Sequence, residues 1–131
     1  MTRAAWQGHP QACEALLKAG ADPSIANKDG QNSLHSTISS FACHDVIPIL
    51  LSGRNHLLNA KDRDGYTPLM LAALYGKPKA CKALLIAGAD RSISKGGGFL
   101  GIGGTNALDL ARQSTSPDKN EVIELLTTYK K

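Results

Sequence analysis

The stretch from Asp64 to Asp90, DGYTPLMLAALYGKPKACKALLIAGAD, recurs in weaker form along the whole chain. Pairs of leucines fall at positions 16–17, 50–51 and 84–85, two steps of 34 residues, and a fourth pair follows at 125–126 after 41 residues. The four letters AGAD stand both at the start of this series, after the first leucine pair, and at the end of the quoted stretch. A fixed period of this length is typical of a repeat protein, in which each unit buries its apolar face on the next.

The quoted unit carries a specific set of motifs. They are Gly65, Thr67-Pro68-Leu69, the alanine pair at 72–73, Gly76, Leu84-Leu85 and Gly88-Ala89-Asp90. With a period of about 34 residues, this set resembles the ankyrin repeat. The resemblance implies an all-α solenoid of helix-turn-helix pairs with projecting β-hairpin loops, which we call fingers. It divides a single domain, residues 1–131, into repeats at about 1–28, 29–62, 63–95 and 96–131, the first of them truncated.

Two stretches depart from the regular pattern. In the second repeat Thr37-Ile38 replace the alanine pair and one extra residue precedes Ala42, which predicts a distorted inner helix or a bulged turn. The outer helix of that repeat is expected to start near Asp45, because Pro48 then lies in the first turn, where a proline is tolerated. Residues 95–104 are rich in glycine and predict an enlarged finger.

Prolines and glycines mark the helix ends. Pro10 and Pro78 are predicted to begin outer helices, because the first turn needs no N–H donor and the ring presets φ. For the last outer helix, Ser116 is the predicted N-cap and Pro117 the first residue. Gly20 is expected to end the first outer helix with a positive φ.

Composition favours an intracellular protein. Hydrophobic residues make up 42% and charged residues 20%, with no apolar run that approaches a membrane span and no secretory signal at the start. Three cysteines without disulfide spacing fit a reducing compartment. We therefore expect a cytoplasmic protein, with the nucleus as an alternative, that is a monomer when alone.

The motifs that could carry chemistry are incomplete. GGGFLG at 96–101 fits GxGxxG but lacks the preceding apolar strand and βαβ unit of a dinucleotide site. His9 and Cys13 are spaced i,i+4 without further metal ligands, and Cys13, like Cys81, is expected to be a buried apolar residue. His35 stands where ankyrin repeats use a histidine to brace neighbouring backbone. We therefore predict neither an enzyme nor a cofactor or metal site.

The resemblance also places a binding surface. In ankyrin-repeat proteins a concave groove is lined by the finger tips and the exposed side of the inner helices. Carrying those positions across residue by residue predicts these partner-binding residues: Trp6, Gln7, Lys28, Asp29, Gln31, Phe41, Arg63, Asp64, Tyr66, Leu74, Tyr75, Phe99 and Gln113. Five of them are aromatic, and aromatic side chains bury large areas at interfaces at little conformational cost. We predict a protein-protein interaction module or adaptor that holds a peptide or partner surface, with Trp6, Tyr66 and Tyr75 as anchors.

Two other functions stay open. The missing first hairpin suggests a scaffold piece of a longer repeat protein, which an apolar surface around Ala4, Ala5 and Leu16 would support. The net charge of +4 leaves room for an acidic ligand, nucleic acid or lipid, whose binding would depend steeply on salt. Such a ligand would bind an outer face that carries Lys77, Lys79 and Lys82. The basic residues of the chain cluster poorly, so a protein partner is favoured over nucleic acid.

Overall fold

The computed structural model describes residues 10–38, 43–52, 55–96 and 104–129. Within these ranges the chain forms seven α-helices, a 3-10 turn at Asn55–Leu57 and two short strands. The helices are α1 (Pro10–Lys18), α2 (Ser33–Ile38), α3 (Cys43–Leu51), α4 (Pro68–Leu74), α5 (Pro78–Ile86), α6 (Ala107–Gln113) and α7 (Lys119–Thr128). Strands β1 (Ser94–Lys95) and β2 (Thr105–Asn106) pair antiparallel, with Ser94 opposite Asn106. The predicted all-α repeat architecture is confirmed.

The helices lie in two layers. Helices α2, α4 and α6 contact one another in sequence order and form the inner layer, while α1, α3, α5 and α7 form the outer layer. Each inner helix also packs on the outer helix that follows it. Because these contacts join only neighbouring units, the array is a nearest-neighbour assembly, as in solenoid proteins. The inner helix of the first repeat would fall within residues 1–9, outside the described residues, and the repeat boundaries stay a prediction.

The leucine pairs form the core of this assembly. Leu50 and Leu84 are fully buried, each inside an outer helix that has a neighbour on both sides. Small side chains such as Ala72 and Ala80 let the helices approach closely. Cys13 and Cys81 are completely buried and not joined by a disulfide, in line with the prediction that they are buried apolar residues.

The outer helices begin at Pro10 and Pro78 as predicted, but the start of the last one was predicted wrongly. Helix α7 begins at Lys119, with Asp118 and not Ser116 as its N-cap. The Ser116 carbonyl accepts a hydrogen bond from the Lys119 N–H at 3.2 Å, and Ser116 Oγ accepts one from the Asp118 N–H at 3.2 Å. Ser116 and Pro117 therefore form a separate turn that precedes the helix.

The expectation for Pro48 was also wrong. Helix α3 begins at Cys43, so Pro48 is its sixth residue and lies inside the helix. Proline has no N–H to donate to the carbonyl of His44 four residues earlier. Pro48 is exposed, so the missing hydrogen bond lies on the solvent side of the helix. The bulged turn predicted before α3 lies at residues 39–42, outside the described part.

The fingers are simpler than the predicted hairpins. In the described residues only the third contains a strand pair, and its enlarged part at 97–103 lies outside the description. The first is a turn closed by the Asn27 N–H donating to the Gln31 carbonyl at 2.9 Å. The second is closed in the same way, with Asp62 N–H donating to the Tyr66 carbonyl at 2.9 Å. In each turn the side chain of the first residue, Asn27 or Asp62, also accepts hydrogen bonds from two backbone N–H groups.

Candidate partner-binding groove

A backbone hydrogen bond joins the tips of the first two fingers. The Arg63 N–H donates to the Asp29 carbonyl at 3.0 Å. Gly30 permits this approach, because its φ is +74° and a Cβ there would lie only 2.6 Å from the Arg63 nitrogen. The next pair of fingers is also close, since a Cβ on Gly65 would lie 3.2 Å from the Cβ of Lys95. Fingers of successive repeats are therefore stacked in contact.

This stacking aligns charged side chains on neighbouring tips. Lys28 and Asp29 on the first finger are exposed, as are Arg63 and Asp64 on the second. Their side chains form no hydrogen bond or ion pair within the described residues. Gln31, at the base of the first finger, is half-buried. The finger tips thus present cations and anions, in the same order on each tip, that remain available to a partner.

His35 joins the second repeat to the third. Its Nε2 lies 2.9 Å from the Tyr66 carbonyl, and its Nδ1 accepts the Asn32 N–H at 3.3 Å. These two contacts place the ring proton on Nε2, which donates to Tyr66. Burial lowers the pKa of His35, so the ring is neutral at pH 7. The predicted bracing role is confirmed, and the fully buried ring is out of reach of a substrate.

Tyr66 is less available than its position in the sequence suggests. Its ring is half-buried against the core at the start of α4. The Nζ of Lys95, on the third finger, lies 4.7 Å from the centre of the ring, a distance suited to a cation–π contact. Tyr66 therefore helps to fix the third finger and offers only part of its surface to a partner.

Tyr75 is the most exposed of the described aromatic side chains. It is the C-cap of α4 and retains 46% of its surface, whereas residues 68–73 of that helix are buried. The Nζ of Lys77 lies 6.0 Å from the Tyr75 ring centre and donates a hydrogen bond to the Ile38 carbonyl. Lys77 thus belongs with Tyr75 and not with an outer basic face formed by Lys79 and Lys82. Leu74, next to Tyr75, is half-buried.

The structure brings only some of the predicted residues together. Tyr66 precedes the N-cap of α4 and Tyr75 is its C-cap, so the two tyrosines lie at opposite ends of this helix. Gln113 is exposed at the end of α6, the next inner helix. Four predicted residues lie outside the described residues: Trp6, Gln7, Phe41 and Phe99. Sequence reasoning missed the contacts of Lys95 with Tyr66 and of Lys77 with Tyr75, although each lysine lies next to a glycine turn.

Nothing in the described part suggests catalysis or metal binding. No group of three or more His, Cys, Asp or Glu side chains there could hold a metal ion. Burial raises the pKa of the Cys13 thiol, which keeps it protonated and unreactive.

A shallow cavity of about 540 Å³ lies on the opposite side of the array, between α1 and α3, beside the Glu14–Lys18 ion pair. Among the described helices, none has the length and apolar character that crossing a membrane requires.

Stacked helix pairs with aligned finger tips and an open face define a repeat-type binding scaffold. Residues 1–95 match the family model for ankyrin repeats in three copies. The chain belongs to the ankyrin-repeat family, whose members are in general protein-protein interaction modules.

Several curated proteins are similar to it. Human neurogenic locus notch homolog protein 4 is 37% identical over 81 residues, which are 62% of this chain and 4% of that protein. The Drosophila melanogaster neurogenic locus Notch protein is 39% identical over 79 residues, 60% of this chain and 3% of that protein. Mouse Rabankyrin-5 is 32% identical over 108 residues, 79% of this chain and 9% of that protein. The matched region thus spans less than a tenth of each of these relatives.

Proposed function

We propose that this chain is an interaction module that holds a peptide or a partner's surface in its concave groove and catalyses no reaction. The observation that carries this proposal is the exposure of Tyr75. The side chain keeps 46% of its surface at the end of a central inner helix whose other residues are largely buried. An exposed tyrosine next to a lysine ammonium is a strong interface anchor, because it buries a large area and loses little conformational freedom.

The charged finger tips supply the second part of recognition. Lys28 and Arg63 occupy matching positions on stacked tips, and so do Asp29 and Asp64. A partner segment that crosses the tips meets the same order of charges twice. Exposed charges of this kind mainly set the association rate and the register of a partner, and they contribute less to the final affinity. The same proposal includes a cytoplasmic location, because no disulfide joins Cys13 to Cys81 and cysteines stay reduced in that compartment.

The test is affinity capture from lysate with the unaltered protein, Tyr75→Ala and Lys82→Ala, each at low and moderate salt. Tyr75→Ala is preferred to a change at Tyr66, because Tyr66 packs on the core and its loss would also lower stability. Lys82 is the matched control, since it is exposed on an outer helix away from the groove. A protein captured at both salt concentrations by the unaltered chain and by Lys82→Ala, and lost by Tyr75→Ala, is the expected result.

Binding of the recovered partner should then weaken more than about tenfold in Tyr75→Ala, the size expected for an interface anchor. Equal affinity for Tyr75→Ala and the unaltered chain would refute the groove. A third outcome is capture that is equal for Tyr75→Ala and the unaltered chain, is lost at moderate salt and is lost in Lys82→Ala. That outcome would show that the outer face binds an acidic ligand.

A scaffold role within a longer repeat array is a second candidate, favoured by the first outer helix. Leu16 retains 37% of its surface, whereas its counterparts Leu50 and Leu84 are fully buried. Ala12 is likewise exposed where the matching Ala80 is buried. Fusing a designed ankyrin repeat before α1 should raise the thermal midpoint, and Leu16→Glu should abolish the gain. An unchanged midpoint in the fusion would contradict this role.

A further inference from the structure

A Ser-Pro motif with a basic residue at the third following position occupies the turn between α6 and α7. The residues are Ser116, Pro117, Asp118 and Lys119. Proline-directed protein kinases act on an acceptor hydroxyl followed by proline, and kinases in general also read the charge pattern around the acceptor. The chain contains one other Ser/Thr-Pro pair, Thr67-Pro68, in which Met70 takes the place of the basic residue.

The two Ser/Thr-Pro pairs differ in how deeply their hydroxyl residues are buried. Thr67 retains 1% of its surface, and its Oγ1 accepts the Met70 N–H at 3.2 Å as the N-cap of α4. Ser116 lies outside regular secondary structure and is half-buried, and both residues that flank it are exposed. Only the second pair can enter a kinase cleft after a local movement of a turn, because the first would require opening of the core.

Ser116 also makes a specific contact with the preceding repeat. Its Oγ donates to the Gly76 carbonyl at 3.3 Å. The backbones approach so closely that a Cβ on Gly76 would lie 2.1 Å from the Ser116 Cβ. This contact joins the inner-to-outer turn of the third repeat to that of the fourth, directly beside Tyr75.

We propose that Ser116 is a phosphorylation site for a proline-directed protein kinase, and that the phosphate separates the turn of the fourth repeat from Gly76. In the reaction the Ser116 Oγ attacks the γ-phosphorus of MgATP, and the new O–P bond forms as the bond to the ADP oxygen breaks. The hydroxyl proton passes to the kinase's base. The product has lost the hydrogen that bonded to Gly76 and gained about two negative charges.

The local surroundings explain why the contact opens. A phosphate in this position meets the Gly76 carbonyl oxygen instead of donating to it, and the adjacent charges of Asp118 and Lys119 are of opposite sign. The close approach of Ser116 to Gly76 requires the turn to move when the side chain grows on the side that faces Gly76. Any effect on partner binding through Tyr75 and Gln113 rests on the proposed binding function, whereas the modification and its structural effect do not.

The test uses the full chain with a purified proline-directed kinase and MgATP, followed by mass spectrometry of the peptides. Ser116→Ala removes the acceptor, and Pro117→Ala keeps the hydroxyl and its contact with Gly76 but removes the residue that directs the kinase. We expect phosphate on Ser116 of the unaltered chain, little in Pro117→Ala and none on Thr67. Hydrogen exchange of the modified protein should be about tenfold faster in α6 and α7, with α2 and α3 unchanged.

Two results would overturn the proposal, and neither depends on a binding partner. One is absence of phosphate from Ser116 under conditions in which the kinase fully modifies a reference Ser-Pro substrate. The other is complete phosphorylation with unchanged exchange in α6 and α7. Ser116→Ala, which loses the hydrogen bond without gaining charge, should show a smaller rise in exchange than the phosphorylated chain.

Discussion

Replacing Gly30 with alanine should weaken the stacking of the fingers, and its cost can be divided into two parts. The first is conformational, because the φ of +74° is unfavourable for any residue with a Cβ. That part amounts to about 1–2 kcal/mol. The second is steric, because the new Cβ would lie 2.6 Å from the Arg63 nitrogen, a separation that a methyl group cannot adopt.

Relief of this overlap requires the two finger tips to separate. The movement breaks the hydrogen bond from Arg63 N–H to the Asp29 carbonyl, 3.0 Å long in the native protein. Loss of such a bond costs about 1 kcal/mol. The free energy of unfolding should therefore fall by about 2–3 kcal/mol in Gly30→Ala.

Gly20, at the end of α1, offers a matched control. Its φ is +93°, but a Cβ there would meet nothing within 4 Å. Gly20→Ala should therefore carry only the conformational part, about 1–2 kcal/mol. Urea unfolding followed by circular dichroism measures both variants, and Gly30→Ala should exceed Gly20→Ala by about 1 kcal/mol. Equal costs would show that finger contact contributes nothing beyond backbone conformation, and the reasoning about stacked tips would be wrong.

Three further predictions concern the inner helices. Ser33 Oγ is buried and has no hydrogen-bond partner among the described residues, so Ser33→Ala should raise the free energy of urea unfolding by about 1 kcal/mol, and a loss of stability would contradict this. Asn106 and Asp109 exchange backbone-to-side-chain bonds of 3.0 and 3.2 Å in a capping box, so Asn106→Ala should cost about 1 kcal/mol and speed hydrogen exchange in α6 first. Burial lowers the pKa of His35, so the unfolded chain binds its proton more readily, and stability should decline as pH falls below the unfolded value of about 6.5. Urea unfolding between pH 8 and 5.5 checks this, and His35→Gln, although less stable overall, should show a flatter dependence.

Local signals in the sequence predicted the helix starts at Pro10 and Pro78, but not those at Cys43 and Lys119. Thr67-Pro68 specifies the beginning of α4 within two residues, because the threonine caps the helix and the proline fits its first position. At α7 the local signals overlapped. Ser116 is followed two residues later by a second capping residue, Asp118, and the hydroxyl of Ser116 also donates to the Gly76 carbonyl in another repeat. This contact joins residues 40 positions apart, and no local pattern contains it.

Pro48 is a second case in which a local sequence rule did not predict where a helix begins. The rule that proline avoids helix interiors considers one missing hydrogen bond, whereas the position of α3 is set by burial of Val46, Ile47 and Leu50 on both sides of the proline. Burying three such side chains contributes about 5 kcal/mol or more, which outweighs the roughly 3 kcal/mol associated with an interior proline. Packing therefore overrode a correct local rule.

The candidate site was predictable in position but not in exposure. The register of the repeats placed Tyr66 and Tyr75 at the two ends of an inner helix, and both are there. Whether each ring remains free depends on Lys95 and Lys77, long side chains whose partners lie in other elements. The periodic pattern specifies which backbone positions face the groove, but it does not specify which flexible side chains cover them.

Side chains of three repeats donate hydrogen bonds to backbone carbonyls of the repeats that follow or precede them. His35 donates to the Tyr66 carbonyl, Ser116 to the Gly76 carbonyl and Arg91 to the Leu126 carbonyl at 3.0 Å. At Tyr66 the bond uses only the carbonyl, so this residue braces the fold through its backbone while its ring contacts Lys95. At Gly76 the accepting residue has no side chain, and a Cβ there would lie 2.1 Å from the Ser116 Cβ. The link from Ser116 therefore requires glycine at its acceptor position, whereas the link from His35 places no such demand on the side chain of Tyr66.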